Sequence, residues 1–263
     1  MTIASYTQTY GSNRISEIEL LKHDKVGNEF RNKCDKIIFA FHNCPQYIID
    51  NSIKILEMLY PLDKLKILIY NNISYKDTLL QTINFFKINN LEYMLLIQDD
   101  QFGINNEYNL ENLQQVESIF KFINSRKPYY FNILSNHGDK NINKINTIEE
   151  IKIDDVEFYN YHTNTFNYVY SYNDGTHFIT IDFLKSLLLR CKYSDVWSIE
   201  NERNDIFKNN QFERWGMNKV LFSVLNVHGV NIIKVEERKT MIENIFNGIQ
   251  NKDEIINNIL PLM

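Results

Sequence analysis

The stretch Tyr93-Met94-Leu95-Leu96-Ile97-Gln98-Asp99-Asp100 constrains this chain more than any other. A continuous apolar run is followed, after one amide, by two adjacent carboxylates. So short a run suits a strand covered on both faces, the habit of parallel sheets. Such sheets bind ligands just beyond the carboxyl ends of their strands. Two acids there are costly unless a cation neutralises them. A hard divalent ion, Mg²⁺ or Mn²⁺, suits oxygen ligands and completes its shell with substrate phosphates. The segment therefore points to a metal–diphosphate site. The plainer reading is an acidic turn after a core strand.

The surrounding pattern supports a parallel sheet. Residues 36–42, 65–70, 93–97 and 129–134 read as buried strands. Between them lie helical patterns. Pro45 suits the first turn of a helix carrying Ile48, Ile49, Ile53, Ile55, Leu56 and Leu59, and residues 77–88 and 111–122 continue the alternation. Strands alternating with helices imply right-handed crossovers and a doubly wound layer. The second half is less regular. Residues 150–161 and 166–172 carry strand patterns suited to antiparallel pairing, and Asn173-Asp174-Gly175 is a turn signal. Residues 178–189 read as a short strand or turn leading into a helix. The remaining expectations are a helix over 213–224, a strand over 230–235 and a C-terminal helix over 241–260.

No flexible linker interrupts the 263 residues, so one domain is expected. Residues 36–136 would form its nucleotide-binding half, 137–240 its acceptor half and 241–263 its final helix. A net charge of −5 argues against a nucleic-acid partner. No apolar run approaches the roughly 18 residues of a membrane span. Residues 1–13 are polar and lack a signal-peptide core, so a cytoplasmic protein is expected. Cys34, Cys44 and Cys191 are scattered, without metal-ligand spacing, and read as reduced thiols.

Three strand ends would converge on the ligand edge: Phe41-His42, Asn71-Asn72 and Gln98-Asp99-Asp100. Here the chain resembles a known family. Ile67-Leu68-Ile69-Tyr70-Asn71-Asn72-Ile73-Ser74 is similar to the nucleotide-binding turn of GT-A glycosyltransferases, and Gln98-Asp99-Asp100 resembles their metal motif. The likeness covers residues 36–136 well and the rest weakly. It implies a single GT-A-like α/β domain, with a mostly parallel doubly wound sheet and a mixed acceptor-side half. It implies that Asp100 binds Mn²⁺ or Mg²⁺ and that Asp99, with Gln98 beside it, contacts the ribose or sugar. Asn71 and Asn72 would lie near the nucleoside, and Phe41 or His42 would line the base pocket. Gln101 departs from the pattern, since many relatives carry a third acid there. Asn71 also departs, where many carry Asp.

The implied chemistry is transfer of a hexosyl or deoxyhexosyl group from a nucleotide diphosphate, most commonly UDP, to a hydroxyl of a glycan or other acceptor. A cation bridging the phosphates stabilises the leaving group. An inverting reaction also needs a base for the acceptor hydroxyl. The resemblance puts that base at a helix start in the second half, where Phe212-Glu213-Arg214-Trp215 stands, and Asp174 is the second candidate. Glu213 could equally be an acid complementing a helix N-terminus. His228, and more weakly His177, are candidate further metal ligands. Competing classes are another metal-dependent phosphate enzyme, a nucleotidyltransferase or phosphoesterase, and a non-catalytic carbohydrate-binding protein. A nucleotidyltransferase would want a Gly-rich loop after its first strand, and residues 39–47 contain no Gly. No G-x-G-x-x-G follows any predicted strand, which disfavours a dinucleotide-dependent dehydrogenase.

Overall fold

The strand that organises the sheet is one that the composition hides. Ile3–Tyr10 forms β1, with Ser5, Thr7 and Thr9 buried among its apolar neighbours. The computed structural model describes residues 1–11, 15–99, 101–103, 109–133, 147–161, 175–195, 198–199, 201–203, 205–206, 212–217, 221–224, 239–240, 242–243 and 252–259. Two helices that the sequence reading also omitted follow β1: α1 (Ile15–Leu20) and α2 (Lys25–Asn32). The expected alternation then appears as β2 (Lys36–His42), α3 (Gln46–Leu59), β3 (Leu65–Tyr70), α4 (Tyr75–Ile88) and β4 (Tyr93–Leu96). Pro45 is the N-cap of α3, one position before the predicted first turn. Ser74 caps α4 by accepting from the Asp77 N–H.

Beyond β4 come β5 (Gln101–Gly103), α5 (Asn109–Arg126), β6 (Tyr130–Asn132), the hairpin β7 (Thr147–Ile153) and β8 (Val156–Tyr161), β9 (His177–Thr180) and α6 (Ile181–Arg190). The chain continues through β10 (Arg214–Met217), β11 (Phe222–Val224) and α7 (Lys252–Ile259). The expected strands at 166–172 and 230–235 lie outside the described residues.

Among the described residues, nine strands form one mixed sheet in the order β3-β2-β1-β4-β9-β6-β10-β8-β7, and β5 pairs with β11 in a separate ribbon. β1 is parallel to β2 on one side and to β4 on the other. From β1 the chain steps outward to β2 and β3, then returns to place β4 on β1's far side. That reversal is the switch point of a doubly wound sheet, where a crevice opens beyond the carboxyl ends. β9 and β8 run against the other strands, which gives the mixed half.

Alternation along the strands divides the core between two faces. Tyr93, Leu95 and Ile97 pack with α2 and α5 residues such as Phe30, Ile119 and Phe122. Met94 and Leu96 pack with α4 and α6 residues such as Ile83, Phe86, Leu184 and Leu187. On the first face a third cluster joins Ile37, Phe39 and Phe41 of β2 to α1, α3 and α7.

The expected helix over 213–224 is corrected to strand. Trp215 and Met217 alternate into the core beside Phe131 and Phe158, and Arg214 and Gly216 lie on the other side. A period of two serves this site because β10 sits between β6 and β8, whose ladders take up its backbone groups.

α2 is capped by Asp24, whose Oδ1 accepts from Gly27 N at 2.9 Å. A Cβ on Gly27 would fall 2.0 Å from Asp24 Oδ2. Alanine normally favours a helix interior over glycine by about 1 kcal/mol. Here Gly27→Ala is expected instead to destabilise the protein by roughly 1–3 kcal/mol through overpacking. A lowered urea midpoint at unchanged m-value would show it.

Candidate functional site

The carboxyl edge at the β1–β4 switch point is built from few residues. β4 ends at Leu96, and Ile97 N donates to Tyr6 O at 3.0 Å, which keeps the extension alongside β1. A turn follows, closed by Gln101 N donating to Gln98 O at 3.1 Å. Asp99 is 6% exposed. Asp100 lies outside the described residues.

Gln101, the departure from the family pattern, clamps this turn. Its Nε2 donates to Gln98 Oε1 at 3.0 Å, and its Oε1 accepts from Thr176 Oγ1 at 2.7 Å. A carboxylate at this position could accept but not donate. The amide thus ties the acid turn to Thr176, just ahead of β9.

Beside it, β1 ends in Tyr10 and Gly11. Tyr10 is half-exposed, and its ring lies 4.6 Å from that of His42. His42 is fixed in turn by a 2.9 Å contact between Nε2 and Ile73 O. Gly11 has φ of +86°, and a Cβ there would meet nothing within 4 Å. The glycine serves conformation, and the space above it is open. Sequence reasoning missed this pair because it missed β1. The signal was there in an aromatic–glycine step that closes eight residues able to form a strand.

The other predicted residues separate. Phe41 is wholly buried in the cluster with Ile18, Ile49 and Ile255, so its side chain is core packing. Asn71 and Asn72 are exposed at the end of β3, two strand spacings, or about 10 Å, from β1. Asn72 has φ of 58°, and its N–H donates to Asn43 Oδ1 at 2.9 Å. These two asparagine turns brace each other. Asp174 and His228 lie outside the described residues.

Glu213 requires a correction. It precedes a strand rather than opening a helix. β10 is parallel to β6, with Trp215 opposite Phe131, so Glu213 lies at the amino-terminal edge. Tracing the register through β6 and β9 sets it level with the start of β4. That is some six residues, on the order of 20 Å, short of the acid turn along the strands. Its Oε1 accepts from the indole Nε1 of buried Trp215 at 2.7 Å and from Asn160 Nδ2 at 3.2 Å. Glu213 is a hydrogen-bond acceptor for a core tryptophan.

His177 is also a structural residue. It is buried, its Nδ1 donates to Gly175 O at 2.6 Å, and its ring packs 5.0 Å from Tyr130. Burial pushes the imidazole down to about 3, with Arg203 and Arg214 adding to the shift and the Gly175 bond opposing it. Among the described residues, no group of three or more His, Cys, Asp or Glu side chains is placed to hold a metal. Asp99 brings one carboxylate, a hard oxygen donor of the kind that suits Mg²⁺ or Mn²⁺, to this edge.

No family model and no curated protein matches the sequence. Solved structures do match. UTP-bound UGPase from Acinetobacter baumannii aligns over 100% of both chains, with a TM-score of 0.57 at 8% identity. S. aureus TarS 1–349 aligns over 100% of this chain and 71% of its own, with a TM-score of 0.50 at 11% identity. The chain spans 43% of a longer S. aureus TarS structure. The likeness is one of fold: the chain has a GT-A fold, as these structures do. None of the described helices is long and apolar enough to cross a membrane.

Two outcomes follow from these placements. Glu213→Ala is expected to cost about 1–3 kcal/mol by leaving the buried indole N–H without an acceptor. Its nucleotide affinity should match wild type, and a loss confined to nucleotide binding would contradict the edge assignment. For His177, the unfolded chain binds a proton near 6.5 while the folded one resists until about 3. Stability from the neutral ring is therefore complete above 6.5 and lost as pH falls through that window, at a slope of at most about 1.4 kcal/mol per pH unit. Urea midpoints measured across this range should fall less steeply in His177→Asn.

Proposed function

We propose that the chain is a metal-dependent glycosyltransferase that moves a sugar from a nucleotide diphosphate, UDP by preference, to an acceptor hydroxyl with inversion. The observation that supports this most is the acid turn at the carboxyl edge of β4, beside β1, at the switch point of the sheet. The UTP bound to the Acinetobacter UGPase on this fold supports a uridine nucleotide.

In this reading Tyr10 offers an aromatic face to the base, and Gly11 leaves room for the nucleotide backbone to approach. Asp99 accepts hydrogen bonds from the ribose or sugar. Asp100 would hold a divalent cation, with His228 as a further ligand. When bound, such an ion supplies Lewis-acid neutralisation of the departing diphosphate. With Glu213 on the far edge, the base assigned to the acceptor proton is Asp174, which neighbours Gly175 in sequence. Gly175 and Thr176 lead into β9 next to the end of β4.

A second reading has its own support. Residues 39–47, in β2 and just after it, hold no Gly. The first strand is β1, and the chain continues as Gly11-Ser12-Asn13-Arg14. One glycine does not make a Gly-rich phosphate loop, but it keeps that class in play, as does the UGPase fold likeness.

A product assay separates them. With Mn²⁺ and a panel of UDP-sugars, a glycosyltransferase releases UDP. With UTP and sugar 1-phosphates, a nucleotidyltransferase releases pyrophosphate. Asp100→Ala is expected to abolish metal-dependent UDP release, and Asp99→Asn to weaken donor binding less severely. In a thermal-shift panel, donor at a hundredfold excess over its Kd should add about 2.7 kcal/mol to wild type with Mn²⁺. Unchanged turnover in Asp100→Ala would refute the metal assignment.

A further inference from the structure

One buried ion pair lies outside the site yet touches both sides of it. Asp24 and Arg31 are each fully buried, with Arg31 Nη1 3.5 Å from Asp24 Oδ2. Asp24 Oδ1 accepts from Gly27 N and also from Gly103 N, each at 2.9 Å. Arg31 Nη2 donates to Thr7 Oγ1 at 3.5 Å. Gly103 ends β5, three residues past Asp100, and Thr7 is in the middle of β1. The pair thus joins the strand leaving the acid turn to the strand at the switch point.

Helix capping alone does not account for this arrangement. An N-cap needs a single acceptor, and Ser, Thr or Asn serves as well as Asp. Burying a carboxylate with a guanidinium costs desolvation that capping does not require. The close approach of β5 points the same way. A Cβ on Gly103 would fall 2.4 Å from Val26 Cβ and 2.9 Å from Asp24 Oδ1. Only glycine lets β5 come this near α2. The entry of the turn is fixed by Ile97 N on Tyr6 O, and its closure by the Gln98–Gln101–Thr176 chain. Asp24 holds its exit.

We propose that Asp24, backed by Arg31, is a positioning residue that fixes the Gln98–Gln101 turn against β1 and thereby sets the affinity of its carboxylates for a divalent cation. The last clause rests on the metal-dependent reading above; the positioning itself does not.

The test compares two variants with wild type. Asp24→Ser keeps a capping hydroxyl for Gly27 N, but it is too short for Gly103 N and offers Arg31 no charge. Gly103→Ala displaces β5 without changing the acid, and it keeps the test decisive if Asp24→Ser does not fold. Amide exchange over residues 98–103 is read by mass spectrometry, and Mn²⁺ affinity with UDP present by paramagnetic resonance of the free ion. The expected result is faster exchange confined to this segment, with Mn²⁺ affinity lower by about tenfold, as for lost outer-shell partners of metal ligands. Affinity for UDP alone should stay at the wild-type value. Wild-type exchange over 98–103 in a folded variant overturns the proposal, as does exchange that accelerates equally across β1, β2 and β3. If wild type takes up no Mn²⁺ with UDP but the exchange effect appears, the metal reading fails and the positioning role stands.

Discussion

β1 takes a parallel partner on each side, and the location of every group in the candidate site follows from that pairing. With β2 on one side and β4 on the other, the carboxyl ends of all three strands open at one edge. Tyr10 and Gly11 come from β1, His42 from β2 and the acid turn from the extension of β4. Moving β1 to a sheet edge would close the crevice and separate these groups. The interior position demands burial, yet β1 buries Ser5, Thr7 and Thr9. Thr7 accepts from Arg31, so this polar strand residue faces a polar core element, whereas the Ser5 and Thr9 hydroxyls are buried without a hydrogen-bond partner among the described residues.

That polar element explains an unusual concentration of charge beneath the site. Burial pushes the Asp24 carboxyl up, while the Arg31 guanidinium and the N–H groups of Gly27 and Gly103 oppose the shift. Arg31 also lies 5.8 Å from the Phe39 ring, on the strand beyond β1. Carboxylate, guanidinium and aromatic ring form a chain running from the acid-turn side across β1 to β2. Such a chain is stable only when complete, because losing either charge strands the other in the core.

The sequence exposed the parts of this fold whose faces are both apolar. Residues 36–42 and 93–97 stood out because both faces of those strands are buried, and 65–70 stood out by its apolar run although it is the partly exposed edge strand. The same signal failed for β1, where one face meets the Asp24–Arg31 pair and reads as polar. It failed again at 213–224, where spaced aromatic and apolar residues fitted a helical period, although neighbouring ladders were waiting to take up strands. The acid turn was legible in its local residues. Its companions Tyr10 and Gly11 were not, since they depend on a strand order that no local pattern encodes.

The two edges of the sheet explain why an acidic motif misled at Glu213. A carboxylate just ahead of an aromatic in the second half looks alike on either edge. At the amino edge its Oε1 meets the Trp215 indole N–H and the Asn160 amide, both donors. Trp215 is further flanked by the Arg126 guanidinium, 5.2 Å from its ring. At the carboxyl edge, Gln98, Gln101 and Thr176 bond to one another and hold the turn without adding a charge beside Asp99. A third acid at 101 would raise the repulsion among carboxylates and remove the donor that closes the clamp. Gln101 thus gives up a third negative charge for the donor that closes the turn.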